Sequence, residues 1–152
     1  MTKNTLKKYR RKRDFKNTEE PEDGNGKGKT IFVIQKHDAS TLHYDFRLSI
    51  DGALASWAVP KGLSTKAGEK QLAVRTEDHP MDYADFEGVI PEDQYGGGTV
   101  MVWDRGEYKP IAENKDHDKT MADALEDGAL KFTLEGEKLK GGYALVRMDR
   151  KS

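Results

Sequence analysis

The stretch Leu42-His43-Tyr44-Asp45-Phe46-Arg47-Leu48 decides the fold, because apolar and polar residues alternate strictly along it. Successive side chains of a β-strand point to opposite faces of the sheet, so the pattern predicts a half-buried strand. The apolar side chains would then pack in a core, while His43, Asp45 and Arg47 would share the opposite face. We therefore expect one face of this strand to build the fold and the other to carry chemistry.

The polar face of this strand is a candidate metal site. His37 lies one short turn upstream, where it can fold back beside His43 and Asp45. Two imidazoles and a carboxylate suit a divalent transition metal such as manganese, iron or zinc. Arg47 lies roughly 6–7 Å beyond Asp45 along an extended strand and is placed to bind an anion next to that metal. A solvated strand face without a metal is the alternative, because His-x-Asp is a weak pattern on its own.

The composition predicts one soluble domain. A chain of 152 residues can bury a core without disulfides, and 35% of its residues are charged against 35% that are hydrophobic. It has no Cys, so any metal must bind His, Asp or Glu. No apolar run approaches the ~18 residues of a membrane span, and no apolar segment follows the basic N-terminus as in a secretion signal. We expect a cytoplasmic monomer that does not bind membranes.

The net charge of −1 conceals a basic N-terminal arm. Residues 1–16 carry eight Lys or Arg residues and one Asp, a sum of +7, which leaves −8 for the rest of the chain. Such an arm can neutralise phosphates, and a solvated tail is the alternative. Residues 17–30 are polar and rich in Gly, as in a linker. We predict a basic arm and flexible linker over residues 1–30 and a globular domain over residues 31–152.

Short apolar runs punctuated by Gly and Pro fill the predicted domain, and most of them are β-branched or aromatic. Asp51-Gly52 lies between two such runs and predicts a two-residue β-hairpin. Residues 121–126 have helical character, and Gly128 would end that helix. Many short strands joined by close turns favour an antiparallel barrel or sandwich.

A second polar cluster follows a strand candidate at residues 72–76. It reads Glu77-Asp78-His79-Pro80-Met81-Asp82-Tyr83-Ala84-Asp85-Phe86-Glu87-Gly88. This density of ionisable side chains, broken by a proline, predicts a functional loop, and a solvated connection is the alternative. Because an imidazole ordinarily titrates near neutrality, a histidine such as His79 can bind phosphate or transfer a proton, and Tyr83 can donate to an oxyanion. Lys61, at a turn, is a further candidate phosphate contact.

Together, several of these stretches resemble the 3′-phosphoesterase domain of bacterial and archaeal DNA ligase D, here expected as a free-standing protein. The matching stretches are Lys12-Arg13-Asp14-Phe15, Phe32-Val33-Ile34-Gln35-Lys36-His37, Leu42-His43-Tyr44-Asp45-Phe46-Arg47-Leu48, Trp57-Ala58-Val59-Pro60-Lys61-Gly62, Glu77-Asp78-His79-Pro80, Asp82-Tyr83-Ala84-Asp85-Phe86-Glu87-Gly88 and Ala144-Leu145-Val146-Arg147. They occur in the family's order, from the basic arm almost to the C-terminus. The resemblance implies a mainly β fold: a compact antiparallel β-barrel with a basic N-terminal arm and one or two short helices.

The resemblance also implies an activity at DNA 3′ ends in end-joining repair. The enzyme would remove a 3′-terminal ribonucleoside as a phosphodiesterase, then remove the 3′-phosphate as a phosphomonoesterase to leave a 3′-OH. The implied cofactor is Mn²⁺, with other divalent transition metals as alternatives. The implied partners are primer-template 3′ ends that carry a ribonucleotide or a 3′-phosphate, with a DNA ligase or polymerase and Ku-type end-joining proteins as further candidates.

Site residues follow from the resemblance position by position. His37, His43 and Asp45 would be the metal ligands. The implied catalytic residues are Arg47, His79, Tyr83, Arg13, Asp14, Glu20 and Glu77. The implied phosphate-binding residues are Arg47, His79, Lys61 and Arg13, so the arm would close over the site. Gln71 stands where the family can place an arginine that helps remove the terminal phosphate, which weakens the expectation for the monoesterase step.

Two other classes of function remain open from the residues. A His-x-Asp pair with a distal His79 also describes a non-haem Fe(II) oxygenase, although the basic arm would then be unexplained. A non-catalytic nucleic-acid-binding barrel is the second alternative. For the phosphoesterase, we expect Arg47 and His79 on the polar side of the barrel, at surface positions. Their substitution by Ala would then change the free energy of unfolding by less than ~1 kcal/mol.

Overall fold

The computed structural model describes residues 30–66, 68–91, 97–111 and 121–148. They form one eight-stranded antiparallel sheet that curls into a half-barrel, with strand order β4-β3-β2-β1-β6-β7-β8 and β5 paired to β6. The strands are β1 (Ile31–Asp38), β2 (Leu42–Ile50), β3 (Ala53–Val59), β4 (Val74–Pro80), β5 (Gly88–Ile90), β6 (Gly98–Pro110), β7 (Ala129–Gly136) and β8 (Lys140–Val146). The predicted mainly β, antiparallel fold class is confirmed.

Two short helices accompany the sheet in the described residues. Helix α1 (Met121–Asp127) ends where Gly128 takes φ +90° and its N–H donates to the carbonyl of Ala124 at 3.0 Å. A left-handed residue after a helix favours glycine, so the predicted end of this helix is confirmed. A single 3₁₀ helix (Met81–Asp85) follows β4 directly.

The predicted hairpin joins β2 to β3 and sets the register in which these two strands pair. Asp51 and Gly52 both have positive φ, 54° and 81°, as a type I′ turn requires. This turn places Asp45 opposite Ala58 and Arg47 opposite Ser56. On the other side of β2, His43 lies opposite His37 in the β1 pairing. A hairpin turn fixed by local sequence therefore brings distant polar residues to one face.

Two of the four apolar residues of the alternating strand are buried as the pattern predicts, whereas Tyr44 is half-buried and Leu42, at the start of β2, is exposed. Phe46 and Leu48 pack with Phe32 and Ile34 of β1 on what we call the core face of the sheet. The same cluster includes Ala55, Trp57, Val59, Tyr108, Ala124, Leu130, Phe132, Leu134 and Leu139. Buried residues of β1, β2, β3, β6 and β7 contribute to it, and partly buried Tyr143 and Leu145 of β8 pack against it.

Tyr108→Phe is expected to lower the free energy of unfolding by about 1 kcal/mol at neutral pH. The phenol is 1% exposed and donates to the carbonyl of Ser49 at 2.6 Å, and burial raises the pKa of Tyr108 to about 12. An unfolded tyrosine ionises near pH 10, so folding loses stability as the pH rises from 10 towards 12. The Phe variant lacks this loss. Urea unfolding of both proteins at pH 8 and pH 11 measures the difference, and parallel pH profiles would contradict the expectation.

The opposite face of the sheet, which we call the site face, has its own apolar layer. It consists of Val33, Leu54, Met81, Tyr83, Ala84, Phe86, Ile90 and Val100. The 3₁₀ helix and β5 supply much of this layer and cover the polar residues beneath. Arg47 is 3% exposed and His79 is 4% exposed. Both residues lie on the polar face as expected, but the expected surface position is wrong, because a second layer packs over that face.

The second polar cluster is also placed differently from the prediction. Residues 77–80 belong to β4, not to a loop, and Tyr83 lies on the 3₁₀ helix. Glu77 and His79 are buried, whereas Asp78 is half-buried and pairs with Arg75 at 2.9 Å. Pro80 is tolerated because it is the last residue of the strand and the residue before the 3₁₀ helix.

The described residues begin at Thr30, and β1 begins at Ile31. The predicted arm and linker lie outside the described residues except for Thr30, so the division into residues 1–30 and 31–152 stays a prediction. Neither helix of the described ranges has the length and apolar character that a membrane span needs.

Candidate metal and phosphate site

The site face brings the three predicted metal ligands together. Nδ1 of His37 lies 3.3 Å from Oδ2 of Asp45, and Nε2 of His43 lies 3.1 Å from Oδ1 of the same carboxylate. Ligand atoms of all three side chains lie within 4.8 Å of one another. The contact between the two imidazoles follows from the register, because His37 and His43 are directly opposed on neighbouring strands.

Electrostatics favour an ionised carboxylate at the centre of this cluster. Burial alone would raise the pKa of Asp45, but hydrogen bonds from His37 and His43 and the charge of Arg47 outweigh burial and lower it well below its usual range. The hydrogen bond to Asp45 also raises the pKa of His43 against the opposing effect of burial. An anionic oxygen ligand between two imidazoles is the donor set of a divalent transition metal, so these residues fit such an ion.

Arg47 lies beside the cluster in a network of hydrogen bonds. Its Nε donates to Oε1 of Gln35 at 2.7 Å, and its Nη1 donates to Oγ of Ser56 at 2.8 Å. Its Nη2 lies 3.5 Å from Oδ2 of Asp45. The hydrogen bonds at Nε and Nη1 therefore hold the guanidinium in place. Its third nitrogen, Nη2, points towards the candidate metal ligands.

His79 and Tyr83 lie next to Arg47. Nδ1 of His79 lies 3.1 Å from Nη1 of Arg47 and 3.0 Å from the carbonyl oxygen of Glu77. The first contact is a hydrogen bond when Nδ1 is unprotonated and the second when it is protonated, so Nδ1 keeps a partner in either state. The Tyr83 ring packs edge-on against His79 at 4.6 Å, and the guanidinium of Arg47 lies 4.9 Å from the centre of that ring.

These side chains line one cleft of about 290 Å³. Its walls include the three candidate ligands together with Arg47, Glu77, His79 and Tyr83. The volume is at the lower end of the range for small-molecule sites. A cleft of this size, with a carboxylate–imidazole cluster at one side and a guanidinium beside it, suits a small tetrahedral anion.

The other predicted site residues either do not line the cleft or lie outside the described ranges. Lys61 is exposed in the turn after β3 and is not among the residues that line the cleft. Gln71 is half-buried in the segment that precedes β4. The predicted roles of Arg13, Asp14 and Glu20 concern residues outside the described part of the chain, so they stay predictions.

Sequence reasoning missed two residues that hold this site. Gln35 and Ser56 are both 0% exposed, and both accept hydrogen bonds from Arg47. A signal was present for Gln35, because it follows four apolar residues of β1 and has a side chain on the same face as that of His37. Ser56 had no comparable signal, since serine is common in exposed strand positions.

On this antiparallel half-barrel, a His-His-Asp cluster that could hold a metal lies beside a buried arginine. The chain belongs to the DNA ligase D 3′-phosphoesterase domain family, whose sequence model matches residues 35–147. It is similar to the multifunctional non-homologous end joining protein LigD of Pseudomonas aeruginosa, with 51% identity over 93% of this chain. The corresponding DNA repair protein of Mycobacterium tuberculosis is 46% identical over 93% of this chain. The LigD protein of Mycolicibacterium smegmatis is 42% identical over 97%.

The chain spans between 16% and 20% of the length of these curated relatives. The relatives are multifunctional by name, so only the part that corresponds to this chain bears on the site described above. All the candidate ligands and phosphate-binding residues of the cleft lie within the matched range 35–147.

Proposed function

We propose that this protein is a metal-dependent phosphoesterase that processes DNA 3′ ends. It would remove a 3′-terminal ribonucleoside and then the remaining 3′-phosphate, which leaves a 3′-OH for repair. The observation that carries the proposal is the cluster of His37, His43 and Asp45 beside Arg47 in one cleft. Family membership supports the choice of a phosphoesterase over an Fe(II) oxygenase or a non-catalytic barrel.

The three ligand side chains would hold a divalent ion, with Mn²⁺ as the proposed metal. When bound, such an ion supplies positive charge to a non-bridging phosphate oxygen and lowers the pKa of a bound water. Asp45 contributes an anionic oxygen that is already ionised, because its pKa lies well below neutrality. The carboxylate is therefore ready at neutral pH, whereas His43, whose pKa the hydrogen bond to Asp45 raises, would give up its proton on binding the ion.

The remaining residues of the cleft would act on the phosphate itself. The Nη2 edge of Arg47 would donate to a non-bridging oxygen and stabilise the charge that develops there. His79 would bind the phosphate or move a proton, since its Nδ1 has a partner in either protonation state. Tyr83 would donate its phenol O–H to an oxygen of the same group. Glu77, buried at the edge of the cleft, would orient His79 through its backbone carbonyl.

The test uses a labelled primer-template with one 3′-terminal ribonucleotide. We expect the purified chain with Mn²⁺ to shorten the primer by one nucleoside and then to remove the phosphate. EDTA should abolish both steps, and added Mn²⁺ should restore them. A second substrate that carries only a 3′-phosphate isolates the monoesterase step, which Gln71 makes the weaker expectation. No cleavage of either substrate with any divalent transition metal would refute the proposal.

Deleting residues 1–20 is expected to leave a folded, metal-binding sheet with little activity. The reason is the +7 charge of residues 1–16 and the family match at Arg13, Asp14 and Glu20. Each lost phosphate contact should also reduce the slope of log affinity against log salt by ~0.9 on duplex DNA. Turnover and DNA binding at several salt concentrations measure both effects. Unchanged turnover after truncation would show that the arm is a solvated tail.

We further propose that the protein acts with end-joining partners. Its relatives are named for non-homologous end joining and DNA repair, so a DNA ligase or polymerase and a Ku-type end-binding protein are the candidates. A pull-down with each candidate, in the presence and absence of a DNA end, tests for direct contact. Monomeric state in the cytoplasm stays a prediction from the sequence.

A further inference from the structure

Gln35 is a fully buried polar residue to which the reaction proposed above assigns no role. It lies on β1, two residues before His37, and is 0% exposed. Buried amide groups in folded proteins are hydrogen-bonded, so its partners show what the residue does. Those partners belong to two other elements of the site, β2 and the segment that carries Tyr83.

Both polar atoms of the Gln35 side-chain amide are hydrogen-bonded. Its Nε2 donates to the carbonyl oxygens of Tyr83 at 2.8 Å and of Phe86 at 3.1 Å. Its Oε1 accepts from Nε of Arg47 at 2.7 Å. The amide orientation is fixed by this environment, because a flipped amide would set an N–H against the Arg47 donor and an oxygen against two carbonyls.

These bonds tie together two side chains that the proposed reaction needs in one arrangement. The guanidinium of Arg47 lies 4.9 Å from the ring centre of Tyr83, and Gln35 bonds to both the guanidinium and the backbone that carries the ring. With Nε held by Gln35 and Nη1 held by Ser56, the guanidinium plane has one orientation. That orientation turns Nη2 towards Asp45 and the cleft.

We propose that Gln35 is a positioning residue that fixes the guanidinium plane of Arg47 and the 3₁₀ helix of Tyr83 relative to the candidate metal ligands. It contacts neither metal nor substrate in this assignment and acts through Arg47. The proposal rests on the proposed function, since the orientation matters only if Arg47 binds the reacting phosphate. It extends that function by naming the residue that pre-organises the phosphate-binding groups.

The first test is Gln35→Met, which keeps an unbranched side chain of similar length but removes the amide. We expect kcat to fall by about 100-fold, as for a displaced positioning group, and KM to change by less than roughly threefold. Binding of Mn²⁺ should stay close to that of the wild type, because the three ligands are unchanged. A variant with wild-type kcat would overturn the proposal.

The second test asks whether the loss passes through Arg47. Arg47→Lys removes the Nε donor that Gln35 holds, so Gln35→Met should cost less than about threefold in that background. Single-turnover reactions at high enzyme concentration measure the residual rates of the single and double variants. A similar loss of about 100-fold in both backgrounds would show that Gln35 acts independently of Arg47, and the proposal would be wrong.

Tyr108→Phe is the matched control for a purely structural effect. It also removes one buried hydrogen bond, but on the core face and away from the cleft. We expect it to lower the midpoint of thermal unfolding while kcat stays at the wild-type value. If Gln35→Met shows that same combination, the role of Gln35 is structural and the proposal fails.

A spectroscopic readout separates this proposal from the proposed function. The Nε–H signal of Arg47, identified by its absence in Arg47→Lys, should be slow to exchange in the wild type and fast in Gln35→Met. This NMR measurement needs neither metal nor DNA. An inactive wild type would refute the proposed function alone, whereas an unchanged Nε–H signal in Gln35→Met would refute the positioning role.

Discussion

Asp45→Ala is expected to abolish both Mn²⁺ binding and cleavage of a 3′-ribonucleotide primer. The carboxylate lies within 3.3 Å of both candidate imidazole ligands, and without it two neutral nitrogens are left to hold the ion. Loss of a charged ligand also removes the anion that balances Arg47 beside the cleft. We expect the rate to fall to the background of the assay, a loss of at least about 10³-fold for a reaction that depends on the metal.

Two direct measurements accompany the activity assay. Calorimetric titration with Mn²⁺ should show one ion per wild-type chain and no binding to Asp45→Ala. Mn²⁺ should also raise the midpoint of thermal unfolding of the wild type but not that of the variant, because a ligand stabilises only the state that binds it. If Asp45→Ala still binds one Mn²⁺ with wild-type affinity, these three residues are not the metal site.

Asp38→Ala is the matched control for this experiment. Asp38 follows the ligand His37 directly but is exposed at the end of β1, and strand alternation directs it to the opposite face. The same change of residue type, one position from a candidate ligand, should therefore leave Mn²⁺ binding intact. Equal loss of metal in both variants would point to a general electrostatic effect of acidic residues.

Arg47→Ala has the second large expected effect, and it acts on both activity and stability. Removal of a donor that stabilises transition-state charge lowers kcat by about 10²–10³-fold. The same change leaves buried acceptors on Gln35 and Ser56 without their partner and removes a cation beside Asp45. We expect the free energy of unfolding to fall by about 3 kcal/mol, as for other broken buried charge networks. This is several times the value that an exposed arginine would predict.

Chemical denaturation and steady-state kinetics measure these two losses separately. Arg47→Lys restores the charge but not the planar fork of donors, so we expect part of the stability to return while activity stays low. Arg105→Ala removes an exposed ion pair with Asp85 and serves as the control, with an expected change below about 1 kcal/mol. If Arg47→Ala changes stability as little as Arg105→Ala does, the buried network carries little of the folding energy.

Much of the fold follows from local patterns. Strict alternation over residues 42–48 predicts β2 and the core positions of Phe46 and Leu48, Asp51-Gly52 predicts the hairpin, and Gly128 predicts the end of α1. Each of these depends on the chemistry of a few adjacent residues: pleat alternation, positive φ in a tight turn, or the end of a helix. The curled sheet follows less directly, because its strand order joins β1 to β6 across a long interval of the chain.

The candidate site also has a part that the sequence predicts and a part that it does not. The convergence of His37, His43 and Asp45 was predictable, because a short β1–β2 connection and strand parity bring them to one face. The position of residues 77–80 on a strand was not, since their charged composition is typical of a loop. Pairing with β3 overrides that preference and directs Glu77 and His79 inward.

The sequence by itself determined which residues alternate onto the site face, where the tight turns fall and which donor types a metal would find. Only the tertiary structure decided that this face is buried and how its arginine is held. The bonds that hold Arg47 join residues far apart in the chain, as do those from Gln35 to Tyr83, 48 positions away. The contacts of Arg47 arise from the order of β1, β2, β3 and β4 in the sheet, and those from Gln35 to Tyr83 arise from the packing of the 3₁₀ helix over it. No local pattern specifies these contacts, because each depends on where two separate segments meet.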